Sequence, residues 1–213
     1  MSDDYQPLPI PENLAKQLAP LIDQWILEVK QLLPDLSEDL EYMWDNKRLI
    51  PDVGTGGFAV TPTLIALAYD PDFKNKELQR KELEGAVYHE SYHTIQRWTG
   101  YDGKLVDPTA LDTAIIEGAA TVFERERTEC EPIYGMYKDD ETMHKWLDEV
   151  LQLPLDYDYR KYKFYDQETS RRFVLYKLGS WIIDGALAAN PHLEVEDLVH
   201  MSPDQILQLA QLT

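Results

Sequence analysis

Residues 85–98 read GAVYHESYHTIQRW, and within them His89, Glu90 and His93 stand at the spacing H-E-x-x-H. That spacing does chemistry only on a helix. Residues four apart on an α-helix stack on one face, so two imidazoles there can hold a single metal ion while the carboxylate between them stands beside it. The surrounding residues agree with a helix. Polar Lys76, Glu77, Gln79, Arg80, Lys81 and Glu82 open the segment, Leu78, Leu83, Ala86, Val87 and Trp98 recur at helical spacing, and Gly100 is the expected C-cap. A neutral imidazole is a good zinc ligand, and a carboxylate beside a zinc-bound water can take its proton. The other reading of these residues is a surface helix carrying two solvated histidines.

Hydrolytic zinc sites normally use three protein ligands and keep a fourth position for water, so the two histidines are one ligand short. Glu117 is the best candidate. It interrupts the apolar run Ala114, Ile115, Ile116 and is followed by Gly118, Ala119 and Ala120. A carboxylate placed where a helix would bury hydrocarbon is costly unless paired or metal-bound, and the small residues beside it would let this helix approach another closely. Asp107 as N-cap and Pro108 at the first helical position mark its expected start. Glu117 could instead face solvent or pair with Arg125 or Arg127. Glu124, two turns further along the same face, is a reserve ligand or a partner to a histidine.

A helix with H-E-x-x-H, followed some two dozen residues later by an E-G-x-A helix, resembles the gluzincin branch of the zinc metallopeptidases. The absence of a further histidine soon after His93 argues against the metzincin pattern. More narrowly, the chain resembles an uncharacterised bacterial group of zinc-dependent proteases. Its glycine-rich turn leading into a strand (GTGGFAVTPTLIALAYD), its HExxH, its EG-x-A and a late Tyr-x-x-Gly helix at Tyr176, Lys177, Leu178, Gly179 follow the order of that group, over residues 50–210. The resemblance implies zinc as cofactor, His89, His93 and Glu117 as its ligands, Glu90 as general base and a peptide or protein as substrate. One departure stands out. Thermolysin-like gluzincins place an acidic residue four positions after the ligand glutamate, where this chain has Thr121. Tyr176 is the first choice for a donor to the oxyanion, with Arg171, Arg172 and His144 behind it.

A net charge of −19 makes direct nucleic-acid binding an unlikely role and disfavours acidic membranes, because either surface needs positive charge on its partner. With 213 residues, of which 44% are hydrophobic, the chain can bury a substantial core, and no linker or repeat divides it. It is expected to be a single metallopeptidase-like domain over 1–213, with N-terminal helices in 1–47 and a zincin-like core in 48–213. Its single Cys130 excludes an internal disulfide, and the opening MSDDYQPLPIPE lacks the features of a signal peptide, so a cytoplasmic location is expected.

The segments read as follows. An amphipathic helix covers 12–33, with Leu14, Leu18, Leu21, Ile22, Trp25 and Val29 on its buried side and Pro20 as a possible kink. A short helix is expected at 37–46, a strand at 48–53, a turn at 54–57 and a second extended segment at 58–69, which Pro62 interrupts and which is a candidate substrate platform. Helices follow at 139–151, 167–189 and 204–212, with a Tyr-rich loop at 153–165. The fold class expected is α+β and predominantly helical, with a small antiparallel sheet packed on the HExxH helix. Two functions suit it. One is a zinc-dependent hydrolase of peptide bonds, the other a non-catalytic zinc-binding or sensor protein with a structural HExxH site.

Overall fold

The apolar spacing of the N-terminal segment does produce a helix. In the computed structural model, which describes residues 10–96, 108–155 and 157–212, α1 runs Glu12–Leu32 and buries Leu18, Ile22, Trp25, Ile26 and Val29, while Leu14 and Leu21 are only partly covered. Trp98, Gly100 and Asp107 lie outside the described residues. Among the described residues the fold is α+β and 55% helical. Among the described residues no helix is long and apolar enough to cross a membrane. The chain divides into two compact units, one drawn from Met1–Ile95 with Glu126–Cys130 and the other from Gln96–Arg125 with Glu131–Thr213.

The first unit departs from expectation between 37 and 57. No helix forms at 37–46; instead β1 (Glu41–Trp44) runs parallel to β3 (Leu64–Tyr69), with Glu41 opposite Leu64 and Trp44 opposite Leu67. Tyr42 and Trp44 are large aromatic residues that suit a pleated surface, and a partner two dozen residues away decides the matter. The expected strand at 48–53 is a 3₁₀ turn (Asn46–Arg48) and a loop, tied to the sheet by a bridge from Ile50 to Thr55 and by the Asn46 side chain, which accepts from Tyr69 N–H and donates to the Tyr69 carbonyl. Pro51 there has no N–H to give a ladder. Of the expected turn at 54–57 only Gly54 remains outside the strand. It sits at φ +69°, where a Cβ would also collide with the Phe73 ring.

Gly56 and Gly57 belong to β2 (Thr55–Thr61), which pairs antiparallel with β3 through a two-residue connection, Pro62 and Thr63. Pro62 therefore falls outside the ladder. The sheet order is β1-β3-β2, mixed rather than purely antiparallel, with β2 at an edge. Across β2 and β3 packs α2 (Lys76–Ile95), whose Asn75 side chain accepts from Leu78 N–H at its start. Gln79 of α2 donates to the carbonyls of Gly54 and Asp70, both at 2.7 Å, and so ties the helix to the ends of the two strands. Tyr88 joins α2 to α1 by donating to Glu28 at 3.1 Å.

In the second unit α3 spans Ala110–Arg127, so its last two residues belong to the first. Pro108 precedes the helix instead of opening it. Thr109 takes the cap, its hydroxyl accepting from Asp112 N–H while the Asp112 carboxylate accepts from Thr109 N–H. The following helix, α4 (Asp140–Leu151), matches the one expected at 139–151, with Asp139 as its cap rather than its first residue. The Tyr-rich loop contains a single turn, α5 (Arg160–Lys163), and β4 (Tyr165–Asp166), which pairs with β5 (Arg171–Arg172). That hairpin occupies residues expected to be helical, and α6 accordingly starts later, at Val174–Ala189, after Phe173 at φ +56°. Asn190 ends it. A 3₁₀ turn at Val195–Leu198 was not foreseen, and α7 (Pro203–Leu209) carries the Ser202–Gln205 capping box.

The small residues after Glu117 do permit a close approach, and the partner is α6. A Cβ on Gly118 would fall on the Gly179 backbone, and one on Gly179 on the carbonyl of Ala114. Arg125 of α3 also grips Asp184 of α6 through both of its terminal nitrogens, and Tyr137 donates to the same carboxylate at 2.8 Å. Burial and that hydrogen bond push the Tyr137 phenol up to about 12.

Candidate metal centre

The helical spacing of His89 and His93 brings their rings together on α2. The Nε2 atoms are 3.0 Å apart, and the rings meet edge to face with centroids at 4.7 Å. His89 is 4% exposed and His93 7%, so neither is a solvated surface histidine. At this separation at most one of the two nitrogens carries a proton toward the other, so at least one presents a lone pair. A tetrahedral zinc with Zn–N bonds of about 2.0–2.1 Å would want the nitrogens about 3.3 Å apart. The pair fits zinc with a shift of a few tenths of an ångström.

Glu90 leaves the same turn of α2 toward the sheet. Its Oε2 accepts from the backbone N–H of Ala59 at 2.8 Å, across 31 residues of sequence. Gly57 makes this approach possible, because a Cβ there would lie 2.5 Å from Glu90 Cγ. The edge strand β2 thus holds the carboxylate beside the imidazoles.

Glu117 lies in the middle of α3 and is 7% exposed. Arg125, the partner considered for it, is engaged by Asp184. Glu117 Oε1 accepts from Lys163 Nζ at 2.5 Å, across 46 residues. Thr121, which stands where thermolysin-like enzymes have an acid, donates its hydroxyl to the Glu117 carbonyl at 2.7 Å and serves the helix backbone. Glu124 is fully buried and accepts from the Tyr134 hydroxyl at 2.6 Å.

Tyr176 is partly exposed on α6, with its ring 5.2 Å from that of Tyr134, and Lys163 Nζ stands 5.8 Å from its ring centroid. The residues grouped behind it are engaged elsewhere. Arg171 pairs with Glu149 and approaches Asp166, Arg172 lies over Phe173, and His144 packs on Trp181 with its Nδ1 against the Asp140 carbonyl.

Residues 16–208 match a family described as Predicted Zn-dependent protease (DUF2268). The chain belongs to this family. The match reaches N-terminally past the 50–210 region and takes in α1 from residue 16. Membership makes zinc the cofactor, in keeping with the buried imidazole pair. No curated protein and no solved structure matches the chain.

Three participants escaped the sequence. The Ala59 N–H is a backbone group and leaves no trace in residue types. Gly57 did carry a signal, since a glycine within a strand often marks the close approach of another group. Lys163 sits among the lysines, arginine and tyrosines of 157–165, and nothing in its neighbourhood separates it from Lys161.

Proposed function

We propose that this chain is a zinc-dependent hydrolase of peptide bonds of the gluzincin type, with His89, His93 and Glu117 as zinc ligands and Glu90 as general base. The observation that carries the reading is the buried His89–His93 pair with Glu90 fastened beside it by the Ala59 N–H. A solvated surface helix has no use for any of these three features. The family description implies peptide or protein substrates. For the third ligand, support comes from chemistry: two imidazoles and one carboxylate are a donor set suited to hydrolytic zinc, and Glu117 is a buried carboxylate with Ile115, Ile116, Ala119 and Ala120 buried around it on the same helix.

When bound, zinc supplies a water of lowered pKa and polarises the scissile carbonyl. Glu90 takes the proton from the attacking water and passes it to the departing amine, a shuttle that needs a carboxylate held still yet ionised. The Ala59 N–H holds it still. Tyr176 is the proposed donor to the oxyanion. An extended peptide would add alongside β2, the edge strand that carries the Ala59 N–H used by Glu90.

Glu90→Gln removes the base while keeping shape and volume. It should leave the zinc content as in the wild type and lower hydrolysis of a peptide library by about a hundredfold or more. A Glu90→Gln protein as active as the wild type would refute the role of Glu90. A zinc-loaded wild type with no hydrolysis of any peptide would favour a structural or sensing zinc site.

A further inference from the structure

Lys163 stands on the single-turn helix α5, and its ammonium meets the buried carboxylate of Glu117 with Nζ–Oε1 at 2.5 Å. The side chains are 23% and 9% exposed, so the pair is largely withdrawn from water and little screened. Two rings confine the lysine further: Nζ is 5.7 Å from the Phe164 centroid and 5.8 Å from that of Tyr176. A buried carboxylate without a partner is costly, and a cation fixed against one oxygen both offsets that cost and limits the rotamers the carboxylate can adopt.

We propose that Lys163 is a positioning residue of the zinc site, holding Glu117 by Oε1 so that Oε2 is the oxygen directed to the metal. The proposal rests on the reading of Glu117 as third ligand. An ionised carboxylate offers about four lone-pair sites over two oxygens, so an ammonium and a metal can share it. Groups hydrogen-bonded to metal ligands orient those ligands, and their loss commonly weakens metal binding by about 10–100-fold. In thermolysin-like enzymes an acidic residue one turn after the ligand glutamate takes part in such support. Here that position is Thr121, whose hydroxyl is spent on the helix backbone. Lys163 brings orientation from a distant segment and applies it to the carboxylate instead of to a histidine.

The test is zinc affinity, read by competition with a chromophoric chelator on the full chain carrying Lys163→Met, Lys163→Arg, Glu117→Gln, or Glu117→Gln with Lys163→Met. Lys163→Met should weaken zinc binding by about 10–100-fold, Lys163→Arg should retain most of the affinity, and Lys163→Met should add nothing once Glu117 is already Gln. If Lys163→Met does not fold, Lys163→Gln, which keeps a donor without the charge, is read in its place and should show an intermediate loss. Wild-type affinity in Glu117→Gln would overturn the ligand reading and this proposal with it. A weakened Glu117→Gln beside a Lys163 variant that binds zinc as the wild type does, or more tightly, would overturn the role of Lys163 alone. So would a Lys163→Met effect that persists in full in the Glu117→Gln background.

Discussion

A single absent Cβ decides where Glu90 rests. Gly57 leaves the space into which Glu90 Cγ fits, and two residues on, the Ala59 N–H holds its carboxylate. Gly57→Ala should therefore push the general base away while leaving both imidazoles in place. The expected outcome is wild-type zinc content with kcat lower by about a hundredfold, the scale associated with a displacement of about 1 Å at a reacting group. A Gly57→Ala protein with unchanged kcat would show that Glu90 need not touch β2. At this scale the sequence was legible where chemistry is local. H-E-x-x-H is a helix-face pattern, and Glu117 announced itself as a carboxylate within an apolar run. The Glu90–Ala59 and Glu117–Lys163 contacts span 31 and 46 residues, and no local pattern encodes them.

The starts of α4 and α7 were readable, and at each a side-chain cap provides a local hydrogen bond with its own residue preferences. Asp139 caps α4, expected at 139–151, and Ser202 with Gln205 caps α7, expected at 204–212, whereas the Thr109–Asp112 cap of α3 was missed in favour of a start at Pro108. Elements that depend on a distant partner were not. The segment containing β1 reads as a helix by itself and becomes a strand only because β3 lies alongside it. The pairing of β4 with β5 likewise shortens the expected 167–189 helix to α6. The crossing of α3 and α6 has its own consequence. Gly118 and Gly179 each face backbone of the opposite helix, which cannot yield as a flexible side chain can. Either glycine changed to alanine should destabilise the protein by about 2 kcal/mol or more, on the scale of overpacked cores, read as a lower urea midpoint with unchanged m. A midpoint equal to wild type would mean that the helices can part at little cost.

The whole molecule carries a net charge of −19, and its acidic side chains repel one another at neutral pH. Glu84 is one carboxyl on which burial and this repulsion both act. Burial, then the nearby Glu28 and Glu129, hold its carboxyl above the ordinary range, against the opposing pull of Arg80 and Lys81. A carboxyl whose folded pKa exceeds its unfolded one makes the folded state bind protons more tightly. Its stabilising share is complete below the unfolded value and is lost as pH rises through the folded one. Glu84→Gln should accordingly raise Tm at neutral pH, and the gain should vanish as pH falls below the usual carboxylate range. A Tm difference independent of pH would contradict that assignment. Zinc should act on the whole fold as well, since a ligand that binds only the folded chain stabilises it by about 4 kcal/mol at a thousand times its Kd; a strong chelator should lower Tm by a matching amount. The most direct test of the account is elemental analysis of the protein purified without affinity metal or chelator, alongside His93→Ala and Glu117→Ala. The account predicts about one zinc per chain in the wild type, the occupancy of a single three-ligand site, lost or loosened in both variants. A wild type that takes up no zinc when zinc is supplied, or variants that hold it as tightly, would contradict the account.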